Sequence, residues 1–152
     1  MWGSCSKILS PKLQKLQNRA PRVITFSNYD RNTDELLRMV NWVKLDRQRL
    51  GNKSIMMYKI VTGAHGLLIV NNMVPEYLFS RFVFRSDTLT YKLRDSDGTL
   101  AIPQPRTNYC KRSLSYSGVV LWNSLPLNIR QSLSLNQFKS KLKNYDFDSG
   151  LI

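Results

Sequence analysis

Seven cations and no acid lie between Gly98 and Tyr145: Arg106, Lys111, Arg112, Arg130, Lys139, Lys141 and Lys143. Positive charge without neighbouring carboxylates suits the neutralisation of phosphates, a mode of binding that depends steeply on salt and carries little sequence information. Four aromatics, Tyr109, Tyr116, Trp122 and Phe138, are interleaved with these cations. An exposed ring can stack on a base of a single strand for about 1–3 kcal/mol. Trp122 and Phe138 stand beside apolar helical positions and read as core; Tyr109 and Tyr116 stay open to either role. A second basic stripe, Lys15, Arg19 and Arg22, falls opposite an apolar helical face, where it would follow successive phosphates or simply face solvent.

Catalytic constellations are missing from the pattern. Asp95-Ser96-Asp97 pairs two carboxylates, but Gly98 makes the segment an exposed turn. Two-metal polymerase chemistry needs carboxylates that jointly hold the ions, and no Ala-Asp-Asp segment occurs. Ser115 and Ser117 have no positioned base in the sequence, since His65 is distant and alone. Cys5 and Cys110 have no metal-ligand spacing, and Gly63, Gly66 and Gly118 form no phosphate-cradling loop. Neither a metal nor a cofactor is expected.

The bulk numbers agree. Of 152 residues, 23 are Lys or Arg and 10 are Asp or Glu, a formal charge of +13 that favours polyanions. The 42% hydrophobic content suffices for one core-forming domain. Two cysteines make no disulfide framework, which favours a reducing compartment. No apolar run approaches the roughly 20 residues that cross a bilayer, and Met1 to Cys5 lack a signal-peptide core. An intracellular protein of the nucleus or cytoplasm, with no membrane partner, is the expectation.

The elements that must position these residues read as follows. Ser10 suits an N-cap and Pro11 the first helical position, with Leu9, Leu13, Leu16, Ala20, Val23 and Ile24 on one side. Pro21 predicts a kink or early end there, at about 3 kcal/mol. Asn32 caps a second helix with Glu35 in the capping-box position; Leu36, Leu37, Met39 and Val40 are its apolar face, and it should end near Trp42. A longer helix opens at Leu45-Asp46 and runs to about Thr62, with Leu50, Met57, Ile60 and Val61 inward and Gly63 as terminator. Leu67 to Val70 fits a loop or a strand, and Pro75 to Phe79 a short helix. Residues 99–102 and 106–110 suggest an extended pair. Leu114, Gly118, Leu121 and Leu125 share a helical face, with Trp122 at its flank and Pro126 as the stop. Gly118 permits close approach of another helix, that of Phe138 and Leu142. Ser134 with Gln137 opens this last helix, which buries Phe138, Leu142 and Tyr145 and turns Lys139 and Lys143 outward.

The order of local motifs resembles the region downstream of the polymerase core in reverse transcriptases of non-LTR (LINE-like, jockey/CR1-type) retrotransposons. Its carriers are Trp2-Gly3, Leu13-Gln14-Lys15-Leu16-Gln17-Asn18-Arg19-Ala20, Leu45 with Met57-Tyr58-Lys59, and Pro75-Glu76-Tyr77-Leu78. Arg106-Thr107, Gly118, Leu121-Trp122-Asn123-Ser124-Leu125-Pro126, Ile129-Arg130 and Phe138-Lys139 complete the series. Each is weak alone; their order and separation make them specific. The resemblance implies a post-polymerase accessory region of an RNA-directed DNA polymerase that helps hold template RNA, primer or target DNA. Met1 falls where the family would still be mid-polypeptide, so a terminal fragment without the catalytic carboxylates is expected, non-catalytic in isolation. Pro21 departs from the family's helical pattern, as a decayed copy would.

The expected fold is therefore mainly α, a module of about five or six helices with a hairpin-like segment near residues 99–110. Residues 1–62 form an N-terminal helical part, 63–112 a loop-rich middle and 113–146 a two-helix part. The expected nucleic-acid contacts are Lys15, Arg19, Arg22, Arg106, Lys111, Arg112, Arg130, Lys139 and Lys143. Gly118, Leu121, Trp122, Leu125, Pro126 and Phe138 form the structural motif. The expected partners are RNA or DNA, bound weakly, and the upstream polymerase domain; the alternative is a structural remnant that binds nothing specifically.

Overall fold

A computed structural model describes residues 8–64, 76–88 and 98–147. The chain is mainly helical, as its patterning predicts. It divides into two compact units, one up to Leu50 and one from Gly51 onward.

In the first unit, α1 (Leu9–Ile24) and α2 (Thr33–Met39) precede the start of α3 (Leu45–Ala64). Ser10 is not the cap of α1. Its hydroxyl donates to Asp46 Oδ1 (3.0 Å) and accepts from Arg49 Nη1 (2.7 Å). Pro11 still sits in the first turn, where a missing N–H costs nothing. The expected early end at Pro21 does not occur: α1 continues to Ile24, the proline ring is buried, and Thr25 donates its N–H (2.9 Å) and hydroxyl (2.7 Å) to the Pro21 carbonyl. Gln14 and Gln17 both accept from the Leu45 N–H at 3.1 Å, and Gln17 Nε2 donates to the Val43 carbonyl (2.8 Å). The two glutamines of the Leu-Gln-x-Leu-Gln motif thus cap the start of α3.

This polar side of α1 is the one used inside the unit. Leu9, Leu13, Leu16, Val23 and Ile24, the apolar stripe, are exposed. Asn32 caps α2 as expected, its Oδ1 accepting from the Asp34 N–H (2.9 Å). Glu35 closes no capping box and pairs with Arg31 (2.9 Å). The helix stops three residues before Trp42, at Met39, because Asn41 turns left-handed (φ 55) and lets the Trp42 N–H bond the Leu37 carbonyl (2.8 Å).

The second unit holds a core of Met57, Tyr58, Ile60 and Val61 from α3 with Phe82, Phe84, Leu100, Val119, Trp122, Leu125, Ile129, Phe138 and Leu142. Gly63, expected to end α3, lies one residue inside it. Leu67 to Val70 fall outside the described residues. Short helices α4 (Glu76–Phe79) and α5 (Arg85–Thr88) follow.

The expected pairing of 99–102 with 106–110 is absent. Leu100 instead forms an antiparallel bridge with Phe84, and Asn108–Arg112 is helical (α6), capped by Thr107. The bridge bonds run from Arg85 N to Thr99 O (2.9 Å) and from Ala101 N to Val83 O (2.8 Å). On the other edge, Asn123 acts as a third strand: its Oδ1 accepts from the Leu100 N–H (2.9 Å) and its Nδ2 donates to the Leu100 carbonyl (2.8 Å). That side-chain pairing leaves 106–110 no role as a strand partner.

The helix expected through 114–125 is a π-helical turn, Leu114–Gly118, followed by α7 (Val119–Ser124). Gly118 does permit a close approach, but by α3: a Cβ there would lie 2.7 Å from Met57 Sδ. Leu125 is extended and Pro126 precedes α8 (Leu127–Arg130). Ser134 caps α9 (Leu135–Lys143), accepting from the Gln137 N–H (3.2 Å), with Phe138 and Leu142 buried as predicted.

Candidate nucleic-acid interface

The cations divide by what their side chains already do. In the first unit, Lys15 and Arg19 are exposed on α1. Arg22 is half-buried and bonded: it donates to the Asn18 carbonyl and Thr33 Oγ1, both at 3.0 Å, and lies 5.1 Å from the centre of the Tyr29 ring. It ties the end of α1 to the start of α2.

In the second unit, Arg106, Lys111, Arg112, Lys139 and Lys143 are exposed. Lys111 and Arg112 ride on α6, while Lys139 and Lys143 repeat one turn apart on α9. Lys141 donates to the Asn128 carbonyl (2.6 Å). Arg130 is structural: Nε donates to the Leu125 carbonyl and Nη1 to the Gly98 carbonyl, both at 3.0 Å. Trp122 Nε1 reaches the same Gly98 oxygen at 3.0 Å. The Leu-Trp-Asn-Ser-Leu-Pro…Ile-Arg series therefore clamps residues 98–100 through Trp122, Asn123 and Arg130, while Leu121, Trp122, Leu125 and Ile129 are buried.

Trp122 and Phe138 are core residues and unavailable for stacking on bases: Trp122 is 1% exposed and Phe138 0%. Phe138 stacks between Tyr58 (centroids 4.4 Å) and Trp122 (6.2 Å). The Tyr58 hydroxyl donates to the Ser132 carbonyl at 2.8 Å. Tyr109 is 84% exposed and Tyr116 is half-buried.

One polar pair was not anticipated. Lys53 Nζ donates to Ser117 Oγ (3.1 Å), so Ser117 has a lysine neighbour where the sequence offered no base. The bonds run the wrong way for nucleophilic catalysis, because the Ser117 hydroxyl donates its proton to the Ser113 carbonyl (2.8 Å). Sequence did carry a signal for Lys53. It stands three residues after Leu50 and four before Met57, inside the apolar arc of α3 where a charge is out of place.

Among the described residues, no three His, Cys, Asp or Glu side chains gather to hold a metal. No described helix is long and apolar enough to cross a membrane. No family model, curated protein or solved structure matches the chain.

Proposed function

We propose that this chain is a nucleic-acid-binding accessory module of the kind found after the polymerase core of non-LTR retrotransposon reverse transcriptases, non-catalytic by itself. The observation that carries the reading is the acid-free run from Gly98 to Tyr145, whose Arg106, Lys111, Arg112, Lys139 and Lys143 side chains are exposed while its Trp and Phe residues are spent on the core. Such a surface holds phosphates and reads little sequence. The exposed apolar stripe on α1 supports a second contact, with the polymerase domain that precedes this region in the family it resembles.

The test is fluorescence anisotropy with labelled RNA and DNA across a salt series. Contact with about five phosphates gives a slope of log affinity against log salt near −3.5 for a single strand and −4.5 for duplex DNA. No binding at low salt refutes the proposal and favours the alternative, a structural remnant without a specific ligand.

A further inference from the structure

We propose that Lys53 and Ser117 form a built-in phosphate subsite beside α6, so that a residue on α3 joins the cations of the C-terminal segment in holding one phosphodiester of a single strand. The inference rests on the nucleic-acid reading above and names where one phosphate sits.

Lys53 is half-buried, and its ammonium makes one hydrogen bond among the described residues, to the neutral Ser117 hydroxyl. Arg31, Lys44 and Arg49, by contrast, face the carboxylates of Glu35, Asp34 and Asp46. A charge drawn partly out of water against a neutral partner is unfavourable until an anion arrives. Burial accordingly pushes the Lys53 ammonium below the usual lysine range.

The serine fixes the lysine's direction. Its proton is committed to the Ser113 carbonyl at 2.8 Å, and the Arg112 carbonyl lies 3.5 Å away, so Ser117 presents an acceptor to Lys53. This anchors one of the three ammonium donors and leaves the others for a ligand. The wide π turn that carries Ser117 begins immediately after Arg112-Ser113, which puts the Lys53 ammonium next to the chain bearing Lys111 and Arg112. A carboxylate ligand would also satisfy one ammonium. A run of cations at successive positions instead suits a polymer with an anion at every step, as in a nucleic-acid backbone.

The experiment compares wild type, Lys53→Met, Lys53→Arg, Ser117→Ala and Lys44→Met on the full chain, with a labelled oligouridylate over a salt series. Lys53→Met should weaken binding about fivefold near 0.1 M salt and make the slope shallower by about 0.7, the loss of one single-strand phosphate contact. Lys53→Arg should restore the slope. Ser117→Ala, which changes no charge, should weaken binding about twofold by freeing the lysine. Lys44→Met removes the same net charge from the first unit and should leave the slope unchanged. If wild type binds and Lys53→Met keeps its slope, or Lys44→Met loses as much, the subsite is refuted and the broader reading stands. If wild type does not bind, both fall. Should Lys53→Met fail to fold, the Ser117→Ala titration decides: wild-type affinity in that variant refutes the positioning of Lys53 by Ser117, and the subsite with it.

Discussion

At the scale of single residues, chemical type proved a poorer guide than hydrogen-bond partners. Arg22 and Arg130 look like Arg19 and Arg106 in a sequence, yet the first two are bonded to carbonyls and the second two are exposed. Charge alone does not say where a guanidinium points, because its partners are backbone oxygens brought close by folding. Trp122 was legible as core from its apolar neighbours, but its bond to the Gly98 oxygen was not. Trp122→Ala should cost about 3–5 kcal/mol, as large core deletions do, and lower the thermal midpoint of the second unit sharply. A thermal melt followed by circular dichroism checks this; an unchanged melt would mean that the ring is dispensable to the core.

At the scale of elements, legibility followed length. The long helix α1 and the capped α9 show apolar periodicity, and the Asn32 and Ser134 caps are local chemistry that sequence displays directly. The π turn, the bridge from Phe84 to Leu100 and the Asn123 clamp are set by tertiary partners, which short segments do not announce. The exit from α1 shows the same limit. Phe26 takes the left-handed backbone that favours glycine (φ 49), which lets the Ser27 N–H bond the Arg22 carbonyl (3.1 Å), and its ring, 96% exposed, adds no packing to offset the strain. Phe26→Gly should therefore stabilise the first unit by about 1 kcal/mol, the left-handed penalty removed. Urea unfolding checks it; a lower midpoint would show that the ring has a role that its exposure hides.

At the scale of the molecule, the acid-free segment holds two kinds of residue along one stretch of chain: its apolar residues build the core, and Arg106, Lys111, Arg112, Lys139 and Lys143 are exposed. Removing charge from the outer side of α9 should then leave folding intact. Lys139→Ala with Lys143→Ala is expected to melt like wild type, make the salt slope shallower by about 1.4 on a single strand and weaken binding throughout the series. A paired melt and titration on this double variant checks both halves. Loss of folding would place these lysines in the framework with Arg130.

The bare stripe along α1 sets the practical handling of this protein. Ionic strength strips polyanions from a basic surface, but it does nothing to loosen leucine against leucine, and strongly hydrated anions such as sulfate tighten that contact. The high-salt washes used to clear contaminating RNA will therefore drive Leu9, Leu13, Leu16, Val23 and Ile24 toward one another on neighbouring molecules. A mild detergent, rather than more salt, would clear turbidity from such contacts.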